Sequence, residues 1–233
     1  MITTTARRRD AGLLTIAVLL AAAFFLAPPL LLGPGRLGDF PRAFVGYWSS
    51  GGPDFRPDLQ RLVDHQFHYH LARVVFALPL LAVLVTLAVR HRRFRLPLGA
   101  LALVAAVLLI ANVQGAVSPF GTMLPALASG PADAELVAVL AQVRDQLHNG
   151  PASPALDVIL DEYVRWHVVK GVLVGLLAAV LIGLSVVAWR RRHRWLSLLT
   201  TVPAMAALVV VAANVTTVMN PIPPLLLLLQ GSW

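Results

Sequence analysis

The amino-acid sequence predicts an all-α integral membrane protein with five transmembrane helices. Helices 2–3 and 4–5 are expected to form a parallel internal repeat that packs as a four-helix bundle. The 233 residues are 58% hydrophobic and only 13% charged, whereas soluble domains carry roughly 25% charged residues. The mean hydropathy is +0.76, and long apolar runs recur along the chain, as in proteins that cross a bilayer several times. We therefore expect residues 1–233 to form a single membrane domain.

Five apolar runs are the expected transmembrane helices. The first covers residues 12–32, and its roughly 21 residues give about 31 Å of helix, enough to cross the hydrocarbon core. A basic start before an apolar run is also typical of a cleaved signal peptide, although this run exceeds the usual signal core of about 7–15 residues. Pro28, Pro29, Gly33, Pro34 and Gly35 are expected to break this helix at its outer end. The other runs cover residues 70–89, 97–117, 166–189 and 196–218.

Two long polar connections, residues 33–69 and 118–165, are expected to be extracytoplasmic. The first carries Tyr47 and Trp48, aromatic residues of the kind that lie at membrane interfaces. The second contains a predicted amphipathic helix from Pro131 to His148, and another short helix from about Pro154 leads into the fourth span. The apolar positions of the amphipathic helix fall at helical spacing: Leu136, Val139, Leu140, Val143 and Leu147. The pentad Leu225–Leu229 is too short to span, so we expect it at the interface or against a partner.

The charge distribution predicts the orientation of the chain. Eleven arginines lie in three clusters beside apolar runs (Arg7–Arg9, Arg90–Arg95 and Arg190–Arg194), and ten of the eleven acidic residues lie in the two long connections. Basic short loops stay cytoplasmic, so we expect a cytoplasmic amino terminus and an extracytoplasmic carboxyl terminus in the cell membrane. The net charge of +8 therefore orients the protein and does not indicate nucleic acid. Eighteen arginines against one lysine suggest a bacterial inner membrane, and zero cysteines exclude disulfides and thiolate metal sites.

An internal duplication is the strongest signal in the sequence. The stretch from Asp64 to Arg73 and the stretch from Asp161 to Lys170 each lead into an apolar run, and a basic cluster follows each run. Three pairs share an offset of 97 residues: Asp64 with Asp161, His70 with His167 and Arg73 with Lys170. Asn112 and Asn214 share an offset of 102 residues, as do Pro119 and Pro221. Both halves point the same way, so their pseudo-twofold axis is expected along the membrane normal, as in parallel-repeat transporters.

The repeated polar positions form the candidate ligand-binding site, at the outer face between the two repeats. Ionisable groups within spans usually face the protein interior or a water-filled cavity. His70 and Arg73 are three residues apart, as are His167 and Lys170, so each pair shares a helix face. The predicted set is His70, Arg73, Asn112, His167, Lys170, Asn214, Trp166, Asp64 and Asp161. Its simplest use is to hold an anionic group, such as a lipid phosphate or carboxylate, between two cations. The structural alternatives are cations that snorkel to the interface and asparagines that join helices.

The histidines also allow a metal or haem site. His65, His68, His70 and His167 offer four imidazoles, a set that suits copper, zinc or haem iron. Asp64 precedes His68 by four residues, so its carboxylate would fix the tautomer of that imidazole on a continuous helix. The spacing lacks the specificity of an HExxH motif. Solvated histidines at the interface therefore stay an open alternative to metal ligands.

One stretch carries a family resemblance. Tyr163-Val164-Arg165-Trp166-His167-Val168-Val169-Lys170 resembles the W-N-x-x-R start of the last helix in small anthrone-oxygenase-like membrane proteins, and Ala111-Asn112-Val113 resembles the N-V ending of their preceding helix. The resemblance covers about residues 12–190. In this chain His167 stands in place of asparagine, Lys170 in place of arginine, and a fifth helix is added. The resemblance implies a helical-bundle, oxygenase-like protein that acts on a hydrophobic, polycyclic compound. The positions carried over are Asn112, Trp166, His167 and Lys170.

Three functional classes follow from these patterns. The first is a lipid- or anion-binding accessory protein or complex subunit, with the bilayer, a lipid or hydrophobic small molecule, and a membrane protein as partners. The second is a small membrane oxidoreductase that uses a metal, haem or no cofactor on a hydrophobic substrate. The third, a transporter, is disfavoured because no charge lies between Arg73 and Arg90 or between Lys170 and Arg190, where a midplane site needs polar groups. Whether the protein is an enzyme stays open at this point.

Overall fold

The computed structural model describes residues 4–35, 37–129 and 133–231, and most of these residues are helical. These residues form ten α-helices and two short 3-10 turns, without a strand. In chain order the helices are α1 (Thr4–Leu32), α2 (Phe40–Ser50), α3 (Pro57–Arg90), α4 (Arg95–Val117), α5 (Pro119–Met123), α6 (Ala126–Ser129), α7 (Ala134–Asn149), α8 (Pro154–Arg190), α9 (Arg194–Met219) and α10 (Ile222–Leu229).

Five of these helices, α1, α3, α4, α8 and α9, are long and apolar enough to cross a membrane. The predicted multi-pass membrane protein with five apolar spans is therefore confirmed at this level. α3 has 34 residues and α8 has 37, whereas about 20 residues cross the hydrocarbon core. α3 begins well before the span predicted from residue 70, and α8 joins the short helix predicted from about Pro154 to the span predicted from residue 166. Pro57 and Pro154 each stand at the first helical position, where a fixed φ suits the helix and no N–H is lost.

The first helix ends at Leu32, as the boundary of the first apolar run predicted, but two of the residues expected to break it do not. Pro28 and Pro29 lie inside α1 and do not break it; the helix continues to Leu32. Proline has no N–H to donate to the carbonyl four residues earlier, so each of these prolines removes one hydrogen bond from the helix. Both lie within the last turn and a half of α1, and the helix continues past them. Gly33 then takes φ +75°, the left-handed conformation that commonly terminates a helix and favours glycine.

The chain divides into two compact units, and the first comprises Met1–Gly33, Tyr69–Val113 and Val172–Val211. It contains the most apolar parts of the five long helices. A buried cluster in this unit comprises Leu84, Ala102 and Ala105, and small side chains on α4 let neighbouring helices approach. Many aliphatic side chains point outward, and Leu30 is 81% exposed, as suits helices whose solvent is lipid. At one end Asp10 contacts Arg90 Nη2 at 3.1 Å and His91 Nε2 at 3.3 Å.

The second unit comprises Pro34–His68, Gln114–Gly171 and Ala212–Trp233. It has a hydrophobic core of its own, in which the rings of Phe40 and Phe120 lie 6.1 Å apart. The predicted amphipathic helix is confirmed as α7, whose five apolar positions are all buried. Asp133 caps that helix by accepting a hydrogen bond of 2.8 Å from the amide of Leu136. Pro131, the predicted start, lies outside the described residues.

Two segments expected at a membrane interface lie instead in the core of the second unit. Tyr47 is 0% exposed and Trp48 is 7% exposed. The Trp48 indole donates a hydrogen bond of 2.9 Å to Gln142 Oε1, and the Tyr47 hydroxyl donates to the Ala155 carbonyl at 3.4 Å. The leucine pentad belongs to α10, which buries four of its leucines in the same core. Both predictions were wrong because the connections fold onto themselves and use these residues as core.

Candidate functional site

In the first half of the chain, a histidine on α3 pairs with a buried asparagine on α4. His70 Nδ1 lies 3.0 Å from Asn112 Oδ1, and Asn112 is 4% exposed. The Asn112 amide nitrogen donates a hydrogen bond of 2.7 Å to the Leu108 carbonyl. A carbonyl can only accept, so this bond fixes the amide orientation and leaves Oδ1 as an acceptor for His70. His70 therefore carries its hydrogen on Nδ1, and a neutral ring keeps a lone pair on Nε2.

In the second half of the chain, α8 and α9 form the same kind of pair. His167 Nδ1 lies 2.8 Å from Asn214 Oδ1, and Asn214 is 5% exposed. Gly171 follows one turn after His167, and a Cβ there would lie 3.5 Å from the Asn214 Cβ, which indicates how closely α9 approaches α8. His167 Nε2 is buried and has no hydrogen-bond partner among the described residues.

Each histidine is followed three residues later by a cation that lies against an aromatic ring. The Arg73 guanidinium carbon is 4.4 Å from the centre of the Tyr69 ring and 5.0 Å from that of Phe24. Lys170 Nζ is 4.9 Å from the Trp166 ring centre. Such cation–π contacts contribute about 0.5–2 kcal/mol. Within the described chain, neither cation forms an ion pair with a carboxylate, and Arg73 Nε is buried without a hydrogen-bond partner.

The two halves thus contain the same arrangement, which we call the aromatic–His–cation set. It consists of an aromatic residue, the histidine after it, a cation three residues further on, and an asparagine from the next helix. In the first half these are Tyr69, His70, Arg73 and Asn112, and in the second half Trp166, His167, Lys170 and Asn214. Sequence reasoning found all of them except Tyr69. The offset of 97 residues between Tyr69 and Trp166 was the signal that could have identified it.

Polar residues that sequence reasoning missed hold the segment before His167. Gln114 Nε2 donates a hydrogen bond of 3.2 Å to the Trp166 carbonyl. The fully buried Ser118 hydroxyl lies 3.0 Å from the Glu162 carbonyl and 2.9 Å from its Oε2. Arg165 contacts the other oxygen of that carboxylate at 2.7 Å. These contacts make Gln114 and Ser118 positioning residues, and their spacing of four residues at the end of an apolar run was the signal for them.

The carboxylates and remaining histidines of the predicted site lie elsewhere. Asp64 accepts a hydrogen bond of 2.7 Å from Gln60 Nε2, and His68 Nδ1 lies 2.7 Å from the Asp64 backbone carbonyl. The predicted contact between the Asp64 carboxylate and His68 is therefore wrong, because the preceding helical turn satisfies both groups. Asp161 is exposed.

The described residues contain no group of three or more histidine and carboxylate side chains that could hold a metal ion. The predicted metal ligands His65, His68, His70 and His167 form no such group. His70 and His167 each use one ring nitrogen on an asparagine, so each has only Nε2 left for another partner.

Each aromatic–His–cation set offers one positive charge, one imidazole nitrogen and an aromatic surface to a ligand. The sets therefore suit a group with a negative charge and a hydrogen that can be donated, attached to an apolar body. No protein-family model, curated protein or solved structure matches this chain.

Proposed function

We propose that this multi-pass membrane protein is a lipid- or anion-binding accessory protein or complex subunit. The observation that carries the proposal is the repetition of the aromatic–His–cation set, with a cation in each copy that has no carboxylate partner among the described residues. Charged side chains within apolar helices are costly unless they are paired. A bound anion would neutralise Arg73 or Lys170 in the absence of a protein carboxylate.

The tautomer of the two histidines limits which ligands can bind. In a neutral ring, Nδ1 donates to the asparagine, so Nε2 accepts a hydrogen bond and repels a bare anion. A suitable ligand therefore combines an anionic oxygen for the cation with a hydroxyl for Nε2. Phosphate esters that retain one proton and glycerol-containing lipid headgroups have this chemistry. The apolar surroundings of α3, α4, α8 and α9 favour a ligand with a hydrocarbon part.

The proposal includes the arrangement expected from the sequence. Helices α3–α4 and α8–α9 are parallel repeats that pack as a four-helix bundle, with the amino terminus in the cytoplasm and the carboxyl terminus outside. The 97-residue offset of three residue pairs and the arginine-rich turns support this arrangement. Both aromatic–His–cation sets then lie at the outer face of the bacterial inner membrane.

Native mass spectrometry of the purified protein tests the proposal. The wild type should retain an endogenous anionic lipid or bind added phosphatidylglycerol, and Arg73→Gln/Lys170→Gln should lose the lipid adduct that depends on these two cations. Arg42→Gln/Arg61→Gln removes the same charge from exposed positions of the second unit and should keep it. Equal retention by the two double variants, at equal thermal stability, would refute the proposal.

A second candidate is a small membrane oxidoreductase of the anthrone-oxygenase-like kind. The observation that favours it is the buried, unpartnered Nε2 of His167, which resembles a general base held in a fixed tautomer next to a cation. An optical spectrum and elemental analysis of the wild type and of His70→Ala/His167→Ala distinguish a cofactor-bearing enzyme from a cofactor-free one. A haem band, or near-stoichiometric copper, zinc or iron that the double variant loses, would establish a cofactor-bearing enzyme. A colourless and metal-free wild type would restrict this candidate to cofactor-free chemistry.

A further inference from the structure

The first unit contains an apolar cavity that neither aromatic–His–cation set touches. Its volume is about 490 Å³, and aliphatic side chains of α3, α4, α8 and α9 line nearly all of it. Gly99 and Ala106 on α4 leave the space open, and Arg95 and Thr200 are its polar contributors. This volume lies within the range of sites for small hydrophobic ligands. Because the surrounding helices are membrane spans, the natural occupant is a hydrocarbon chain and not water.

A second cavity of about 740 Å³ adjoins the first. The two turns that join α3 to α4 and α8 to α9, together with the helix ends beside them, form its wall. Its charged lining consists of Arg92, Arg95, Arg191, Arg192 and Arg194, together with His193. No acidic side chain lines it, and none of these arginines is in an ion pair within the described residues. Asp10, on α1 of this unit, is engaged by Arg90 and His91. The cavity therefore concentrates positive charge that a phosphate would neutralise.

The two cavities border each other, because Val89, Arg95 and Leu196 line both of them. A molecule with a phosphate in the basic cavity can therefore extend its hydrocarbon chain into the apolar one. Arginine clusters at membrane ends also arise for orientation alone, and such arginines need only face the headgroups. Here they line a cavity that borders an aliphatic one, which orientation does not require.

The backbone at the basic cavity supports a binding role. Arg192 takes φ +56°, the left-handed region in which an L residue is strained. Its amide donates to the Trp189 carbonyl and the His193 amide donates to the Ala188 carbonyl, both at 2.9 Å. This is the Schellman pattern, in which glycine usually occupies the left-handed position. The chain thus places an arginine where glycine would be less strained, and strained backbone clusters at functional sites.

We propose that the two adjoining cavities form a binding site for one anionic phospholipid. Arg95, with arginines of both turns, holds the phosphate, and an acyl chain fills the aliphatic cavity of the first unit. Basic pockets between transmembrane helices are known to hold anionic headgroups. This site is independent of the proposed function, because it shares no residue with either aromatic–His–cation set.

The test uses the full-length protein in mild detergent, titrated by native mass spectrometry with phosphatidylglycerol or phosphatidylcholine of the same acyl chains. Phosphatidylglycerol should bind more tightly. Each arginine near a headgroup contributes about 1 kcal/mol, so Arg95→Gln/Arg194→Gln should weaken phosphatidylglycerol binding roughly thirtyfold. Arg42→Gln/Arg61→Gln is the charge-matched control and should leave the affinity unchanged.

Two further variants separate the specific site from annular lipid. Ala106→Phe adds a ring to the aliphatic cavity without changing charge, and it should also weaken phosphatidylglycerol binding. Arg192→Gly should weaken binding while it leaves thermal stability unchanged or raises it, which a purely structural arginine would not do. Equal affinity for the two lipids, equal losses in the two double-arginine variants, or an unaffected Ala106→Phe would overturn the proposal. A loss confined to Arg73→Gln/Lys170→Gln would support the proposed function and overturn this one.

Discussion

Gly121 allows α5 to contact the part of α8 that directly precedes His167. Substitution of this glycine tests how closely α5 and α8 approach each other there. A Cβ at residue 121 would lie 2.5 Å from Ser118 Oγ, 2.7 Å from the Glu162 carbonyl oxygen and 3.0 Å from the Trp166 Cβ. Real Cβ atoms essentially never come closer than 3.0 Å to a non-bonded heavy atom of another part of the chain. The serine hydroxyl can rotate, but the carbonyl is backbone within α8. Gly121→Ala must therefore move α5 away from α8.

The expected cost combines three contributions. Overpacking costs about 1–3 kcal/mol, and the displaced Ser118 hydroxyl loses a hydrogen bond that contributes about 1 kcal/mol. Alanine regains up to about 1 kcal/mol of helix propensity relative to glycine. Gly121→Ala should therefore lower the free energy of unfolding by about 1–3 kcal/mol. It should also alter the fluorescence of the nearby Trp166.

Equilibrium unfolding in mixed micelles, followed by tryptophan fluorescence, measures this change. Gly183→Ala is the matched control, because a Cβ at residue 183 meets nothing within 4 Å and should leave stability unchanged or slightly higher. Ser118→Ala/Gly121→Ala should recover only part of the loss, since the Glu162 carbonyl remains. Wild-type stability of Gly121→Ala, or full recovery in the double variant, would refute the close approach of α5 to α8.

Three further predictions follow from single contacts. Burial, with a smaller contribution from the charge of Asp54, raises the pKa of the Tyr47 phenol to about 12, so the unfolded chain releases this proton first, at about pH 10. The unfolding free energy of the wild type should therefore fall by up to about 2–3 kcal/mol relative to Tyr47→Phe between pH 10 and pH 12. The same pH dependence of the unfolding free energy in both proteins, measured by chemical denaturation, would contradict this. Asn112→Leu should cost about 1–2 kcal/mol in equilibrium unfolding, because it leaves His70 Nδ1 without an acceptor, and His70→Phe/Asn112→Leu should recover most of that loss; an additive double variant would argue against the pair. Arg192→Gly should raise the unfolding free energy by up to about 1 kcal/mol by removing strain at φ +56°, and a lower thermal midpoint would count against that account.

Hydropathy and helical period predicted the elements of this protein well, because they depend on local sequence. Five long apolar runs became five long helices, and the spacing from Leu136 to Leu147 became the buried face of α7. The start of α3 was predicted too late, at residue 70, whereas the short helix predicted from about Pro154 is the first part of α8, continuous with the span predicted from residue 166. A drop in hydropathy marks where a helix leaves the apolar phase, but it does not end the helix. The boundary of the helix lies only where a cap or a break in the chain occurs, as at Pro57, the first residue of α3, and at Pro154, the first residue of α8.

Composition could not predict where the aromatic residues and leucines of the connections would lie. Tyr47, Trp48 and the pentad Leu225–Leu229 have the composition of interfacial segments, yet they form a core together. Burial in a protein core and burial at a lipid interface both remove apolar surface from water, so the sequence pattern is the same for the two. Contacts between segments distant in sequence, such as that of Trp48 with Gln142, decide between them.

The sequence by itself determined that the chain is multi-pass and that the same polar residues recur in its two halves. Both follow from patterns along the chain, namely apolar runs and fixed offsets. Only the tertiary structure decided which nitrogen of His70 and His167 is engaged, because the tautomer depends on an asparagine from the following helix. It likewise decided that arginines of two separate turns face one cavity, since a cavity exists only where residues distant in sequence come together in space.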